Sequence, residues 1–186
     1  MARPVGILGG TFDPVHNAHL AIAGAALRAL GLQQILWLPT GAPAYRPAPV
    51  AAAAHRLAML RLAIAGEPRY AVDERELLPD ASGFTYDSVI ALKNEKPDAD
   101  FTLLMGADQY TKRHTWHRWP DIEQLCDIAV VARPGWSPAA KARTIPMTPL
   151  AISASDIRGR IARGEEVSAM LPPSVLVYIR EKGLYL

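Results

Sequence analysis

Short apolar runs recur along the chain, each stopping at glycine or proline, and this rhythm limits the fold more than any other feature. Val5-Gly6-Ile7-Leu8 ends at Gly9-Gly10, Ile35-Leu36-Trp37-Leu38 at Pro39, Phe101–Met105 at Gly106, and Ile128–Ala132 at Arg133-Pro134-Gly135. Apolar runs of four or five residues bounded by such breakers predict strands buried on both faces. Between the first two lies His19–Leu30, almost wholly apolar or Ala, with Arg28 its one charge and Gly31 behind it. That reads as a buried helix with a glycine C-cap. Strand, turn, helix, strand is a βαβ unit, whose strands are parallel and whose crossover is right-handed. Further helices are predicted over 51–65, 84–94, from Pro120 to about Leu125, over 156–163, and over 173–182 with Gly183 as the closing cap. In the 51–65 helix Leu57, Leu60 and Ile64 point inward, and Arg56 and Arg61 are placed on the surface. Residues 41–49, with Pro43, Pro47 and Pro49, read as a loop, and 70–78 as a strand or strand-loop. Residues 144–150 suit only an edge or loop because of Pro146 and Pro149. The expectation is an α/β chain with a doubly wound, mostly parallel, Rossmann-like sheet of about five strands and a small C-terminal helical part, forming one domain over residues 1–186.

Composition removes several function classes. Of 186 residues, half are hydrophobic and 20% charged, enough to fill a core and against disorder. A formal net charge of +2 provides no strong field for duplex nucleic acid or an anionic membrane, so neither is an expected partner. No window approaches the roughly 18–20 apolar residues of a membrane span. Asp13, Pro14, His16, Asn17 and His19 break the N-terminal apolar stretch too early for a signal peptide. Cys126 is the one cysteine, so no internal disulfide or cysteine-rich metal site exists, and a reducing, cytoplasmic location is expected.

In an open parallel sheet, ligands bind beyond the carboxyl ends of the strands, near a switch point. Three runs fall there: Gly9-Gly10-Thr11-Phe12-Asp13-Pro14-Val15-His16-Asn17-Ala18-His19, Gly106-Ala107-Asp108, and Arg133-Pro134-Gly135. His16 and His19, three apart at the start of a helix, share one face near the positive end of its dipole. A phosphate there would meet backbone N–H groups, the dipole and two ring N–H donors. The plainer alternative makes His19 a core or capping histidine. Zinc ligation is the lesser one, since Asp13 is the only nearby carboxylate and no HExxH pattern is present. GxxxxGK[ST], GxGxxG and GxSxG are all absent, which removes the commonest α/β nucleotide and hydrolase signatures. Toward the C-terminus, Ile152-Ser153-Ala154-Ser155-Asp156-Ile157-Arg158 reads as a helix start with Ser153 or Ser155 as N-cap and Arg158 in the first turn. Taken alone, that segment is equally a plain capped helix with a surface arginine.

Taken together, GGTFDPVHNAHL and ISASDIR resemble the GG[ST]FDPxHxGH and ISSTxIR signatures of the nucleotidylyltransferase superfamily, in the right order and at the right ends of the chain. The tracts LPTGAPAYRP, VDEREL, FTYDSV, LLMGADQY, TWHRW, ARPGW and YIREKGLY are similar to those of bacterial nicotinate-nucleotide adenylyltransferases, so the likeness covers nearly the whole sequence. It implies a Rossmann-like nucleotidylyltransferase fold, with ATP and nicotinate mononucleotide as partners and Mg²⁺ as cofactor. The products would be nicotinate adenine dinucleotide and pyrophosphate. Carried over by position, the likeness gives His16, His19 and Arg158 the transferring phosphates. Gly9, Gly10, Thr11, Phe12, Gly106, Asp108, Ile152, Ser153 and Ser155 would hold ATP. Thr85, Tyr86, Trp116, His117, Arg133 and Arg46 would hold the mononucleotide, with Trp116 stacked on its ring and Thr85 and the His117 amide at its carboxylate. No protein side chain is assigned to the metal. The chain departs from the signatures at Ala18 (for Gly), at Ala154-Ser155 (for Ser-Thr) and at Tyr45, where relatives often carry His. The alternatives are another nucleotidylyltransferase, such as one acting on phosphopantetheine, or a nucleotide-binding protein without turnover.

Overall fold

A computed structural model describes residues 3–41, 47–131, 142–148 and 150–186. Strands β1 (Arg3–Gly10), β2 (Gln34–Pro39), β3 (Tyr70–Val72), β4 (Ala99–Gly106), β5 (Asp127–Val131) and β6 (Ala142–Ile145) form one sheet. Its order is β3-β2-β1-β4-β5-β6, and every pairing is parallel. The sheet therefore has six strands among the described residues, one more than the apolar runs suggest. The addition is β6, whose residues are mostly exposed apart from Ile145, so its sequence lacks the apolar signature of a central strand. Pro146 follows directly, and an edge tolerates what a central strand would not.

The helices are α1 (Asn17–Leu30), α2 (Ala53–Ile64), α3 (Thr85–Glu95), α4 (Ala107–Thr111), α5 (Trp119–Leu125), α6 (Ala154–Ala162) and α7 (Pro173–Lys182). Short 3₁₀ turns lie at Arg75–Leu77 and Arg113–Thr115. Side chains alternate across each strand, and this divides the core in two. Leu8, Trp37, Leu104 and Ala129 face a layer that also contains Ala23, Leu27, Met59, Ile157 and Val175 from α1, α2, α6 and α7. Ile7, Leu36, Leu103 and Val130 face the other, with Val89, Leu92 and Ile122 from α3 and α5. Helices thus cover both faces, which is the doubly wound arrangement the sequence predicts. Gly31 and Gly183 cap α1 and α7 with φ of 63° and 58°, a region open to glycine without a Cβ clash.

The chain runs from β1 to β2 on one side of β1 and later returns to β4 on the other side. β1 and β4 are neighbours, with Leu8 opposite Leu104, so Gly10 and Gly106 end at the same level. The switch point lies there.

Candidate active site

The loop from β1 to α1 is built on packing as much as on openness. A Cβ on Gly9 would have no neighbour nearer than 4.0 Å, and one on Gly106 would meet nothing within 4 Å. Space therefore remains above the ends of β1 and β4. Gly10 is required for a different reason: a Cβ there would lie 2.9 Å from the Phe12 ring. Phe12, at φ 50°, turns its side chain down beneath the loop, 5.0 Å from the His19 ring and 5.5 Å from Trp37. Its ring is buried, leaving only its backbone for a ligand. Thr11 is exposed.

His16 is the N-cap of α1 and His19 its third residue. Their rings stack with centroids 3.7 Å apart and planes 20° from parallel. The His16 backbone N–H donates to His19 Nδ1 at 3.2 Å. An Nδ1 that accepts carries no proton, so the neutral ring holds its hydrogen on Nε2 and presents that N–H as a donor. Burial lowers the His16 pKa to about 4. Burial, then the neighbouring His16, holds His19 well below the ordinary histidine value. Both rings are uncharged at neutral pH. His16 Nδ1 is buried without a hydrogen-bond partner in the protein, a property it shares with Trp37 Nε1 and Trp119 Nε1 among the described residues. The first turn of α1 contains no acidic residue, so nothing local neutralises the positive end of its dipole.

The second motif meets the first. Ser153 is the N-cap of α6 and accepts from the Asp156 N–H at 3.2 Å; its hydroxyl also lies 3.2 Å from that of Ser155. Ile152 is half-buried just ahead of them. Arg158 sits in the second turn of α6, not the first, because the helix begins at Ala154. From there Arg158 Nη1 donates to the backbone carbonyl of Asp13 at 2.7 Å, across 145 residues of sequence. The guanidinium is partly exposed beside that bond. Two imidazoles and an arginine from opposite ends of the chain thus share one loop.

Asp13 and Arg56 are the residues that sequence reasoning misplaced or missed. Asp13 is 4% exposed and accepts from the Val50 N–H at 2.7 Å, the Ala51 N–H at 3.1 Å and the Tyr185 hydroxyl at 2.7 Å. Its oxygens are occupied, so it is a structural anchor and no general base. Arg56, placed on the surface by helical spacing, is 1% exposed. Its guanidinium donates to the Thr11 carbonyl at 2.6 Å, the Thr40 carbonyl at 2.8 Å and the Ala51 carbonyl at 3.3 Å. The periodicity of a helix cannot distinguish a solvated arginine from one that satisfies buried carbonyls. The two distant carbonyl partners, Thr11 and Thr40, are visible only once the loops are in place.

A second cluster forms on the other layer of the sheet. Thr85 opens α3. Phe84, just ahead of it, stacks on His117 with centroids 4.4 Å apart, and Tyr86 meets the same imidazole edge-on at 6.2 Å. Arg118 adopts φ 54° and lays its guanidinium 4.1 Å over the Tyr86 ring while pairing with Asp121 at 2.7 Å. Trp116 is half-buried against Trp119, centroids 5.8 Å apart. Trp119 and Trp37 are buried packing residues. The structure therefore brings Thr85, Tyr86, Trp116 and His117 together. Arg46 and Arg133 lie outside the described residues, as do Tyr45 and Trp136. Asp108 is exposed in the first turn of α4, directly after β4. The described residues contain no group of three or more His, Cys, Asp or Glu able to hold a metal. With the Asp13 carboxylate taken up by three donors, the described residues offer a divalent cation no cage of protein ligands, so a cation there would have to be held mainly by phosphates and water.

The open parallel sheet, with two stacked histidines and an arginine from the far end of the chain at its switch point, is accompanied by a family match. The chain matches the Cytidylyltransferase-like family over residues 7–160. It is 44% identical to a probable nicotinate-nucleotide adenylyltransferase of Bordetella petrii, covering 98% of this chain and 99% of that one. It is 38% identical to the protein of that name from Aeromonas hydrophila, over 98% and 97% of the two chains. A solved Plasmodium falciparum nicotinic acid mononucleotide adenylyltransferase complexed with NaAD has the same fold, with a TM-score of 0.85 and 18% identity over 98% and 97% of the chains. The chain belongs to the Cytidylyltransferase-like family and, within it, to the nicotinate-nucleotide adenylyltransferases.

Proposed function

We propose that the chain transfers the adenylyl group of ATP to nicotinate mononucleotide, giving nicotinate adenine dinucleotide and pyrophosphate. One observation carries the catalytic part: Arg158 of the C-terminal motif hydrogen-bonds the backbone of Asp13, three residues before His16 of the N-terminal motif. The choice of acceptor rests on the near full-length likeness to proteins of that name, supported by the clustering of Thr85, Tyr86, Trp116 and His117.

In this reading an oxygen of the mononucleotide 5′-phosphate attacks the α-phosphorus of ATP in line. The new P–O bond forms as the α–β bridging bond breaks, and its electron pair leaves on pyrophosphate. The attacking phosphate is already ionised at neutral pH, so no carboxylate base is needed, in keeping with the engagement of Asp13. What the protein must supply is alignment and donors for charge building on the α- and β-phosphates. His16 and His19 offer ring N–H groups from a desolvated site, where each donor acts more strongly than in water. Arg158 and the start of α6 receive the β- and γ-phosphates. Gly9, Gly10, Thr11 and the backbone of Phe12 line the approach, with Gly106 leaving room beside them. Mg²⁺, carried by the phosphates and water, would add neutralising charge, with Asp108 beside it or at a ribose hydroxyl. Trp116 offers its indole face to the electron-poor pyridine ring. Thr85 and the His117 amide offer donors to its carboxylate, an anion that gains more from them than a carboxamide would. No described helix is long and apolar enough to cross a membrane, and a cytoplasmic location accords with a single buried free thiol.

The test is pyrophosphate release from ATP with each of three acceptors: nicotinate mononucleotide, nicotinamide mononucleotide and phosphopantetheine. Release with the first above the second supports the reading. Preference for phosphopantetheine, or ATP binding with no release, removes it.

A further inference from the structure

The penultimate residue of the chain reaches into the phosphate loop. After Gly183 caps α7, the Leu184 N–H returns to the Ile179 carbonyl at 3.0 Å, and Tyr185 adopts φ 64°. A non-glycine residue in that region is held there against a steric cost. The outcome is that the Tyr185 hydroxyl donates to Asp13 Oδ1 at 2.7 Å, 172 residues away in sequence. Burial, then the hydrogen bond to Asp13, pushes the phenol well above its ordinary pKa, so it remains a donor at every working pH.

The Asp13 carboxylate faces a competition. Its Oδ1 is shared by Tyr185 and the Ala51 N–H, its Oδ2 receives the Val50 N–H, and Arg158 Nη1 lies 4.0 Å from Oδ2 while bonding the Asp13 carbonyl at 2.7 Å. Arg158 therefore bonds the loop through a neutral carbonyl and makes only a long ion pair with the carboxylate. A buried carboxylate deprived of one donor would draw the Arg158 guanidinium, already 4.0 Å from its Oδ2, into direct contact. A guanidinium closed onto Asp13 is withdrawn from a triphosphate.

We propose that Tyr185 is a positioning residue for adenylyl transfer: by saturating Asp13, its hydroxyl keeps the Arg158 guanidinium available to the phosphates of ATP. The proposal rests on the function proposed above, yet its first readout, ATP affinity, needs no acceptor. Tyr185→Phe removes the hydroxyl and keeps the ring. Calorimetric ATP titration of the full chain should show Kd for ATP raised about three- to tenfold, the scale of one hydrogen bond. KM for the mononucleotide should move by less than about twofold. Asp13→Asn removes the competing charge, so adding Tyr185→Phe to it should weaken ATP binding further by less than about twofold, a non-additivity in ATP affinity that places both residues on one path to the nucleotide. A Tyr185→Phe protein with a lowered Tm but unchanged ATP affinity would make Tyr185 a structural plug and overturn the proposal. So would equal losses for ATP and mononucleotide, or a full additional loss in the Asp13→Asn background. Should the unaltered chain bind ATP but release no pyrophosphate with any acceptor, the functional reading fails, while the titrations still decide the role of Tyr185.

Discussion

At the scale of single residues, the two imidazoles present a question of charge. A site for polyanions built from neutral histidines has traded resident charge for directed donors. His16, with its pKa lowered to about 4, and the stacked His19 are uncharged before ATP arrives. A bound triphosphate favours the protonated form, so binding raises both pKa values and takes up protons from solution. The sign fixes the experiment. Titrations of MgATP near pH 6, in two buffers of different ionisation enthalpy, should reveal net proton uptake, and affinity should rise as pH falls from 7 toward 6. In His16→Asn the uptake should shrink. Turnover is a separate matter: His16→Ala should lower kcat by about 10²–10³, the cost of one donor aimed at the transition state, with the circular-dichroism spectrum unchanged. A folded variant with full activity would remove His16 from the mechanism.

At the scale of elements, the site is where three connections are tied. Arg56 on α2 bonds the loop after β1 and the end of β2 at once, and so sets the distance between the phosphate loop and the chain that follows β2. Arg56→Leu would leave the Thr11 and Thr40 carbonyls without that donor inside the protein. We expect a loss of about 2–4 kcal/mol, the scale of breaking charge-assisted hydrogen bonds to buried groups, read as a lowered urea midpoint. Around the other cluster, Trp116→Ala should raise KM for the mononucleotide by the equivalent of about 1–3 kcal/mol, as for other aromatic-base stacks, and leave KM for ATP nearly unchanged. The elements themselves were largely legible in sequence. Apolar runs ending at glycine marked the central strands, and Gly31 and Gly183 marked two helix ends. The phosphate loop and the Ser153 cap were legible because glycines, histidines and a capping hydroxyl carry local chemistry at fixed offsets. β6 was barely legible, since the edge or loop expected over 144–150 meets it only at Thr144 and Ile145 and an exposed strand needs no apolar signature. Arg56, Asp13 and Tyr185 were not legible as a network, because each owes its role to partners distant in sequence. The Phe84–His117 stack escaped for the same reason.

For the whole molecule, the histidines connect the site to the stability of the fold. A histidine held below its unfolded value of about 6.5 binds fewer protons folded than unfolded, so its contribution is fully present above pH 6.5 and is lost as pH falls toward its folded value. The slope is at most about 1.4 kcal/mol per pH unit for each such group. His16 spans the window from 6.5 down to about 4, and His19 acts in the same direction. The paired carboxylates cannot account for a loss in the upper part of that window. Asp73 and Glu165, held low by Arg75 and Arg163, begin to cost stability only as pH drops through their ordinary values near 4. Urea midpoints at pH 7, 6 and 5 should therefore fall steadily before any carboxylate titrates. The His16→Asn variant should show a shallower fall, because a residue that never ionises has nothing to lose. Saturating MgATP should counter the loss in the unaltered chain, since a ligand that binds only the folded form adds stability and this one favours the same protonation that acid imposes. A midpoint flat from pH 7 to 5 would mean that the stacked pair takes up protons as readily folded as unfolded, and the neutral-donor account of phosphate binding would go with it.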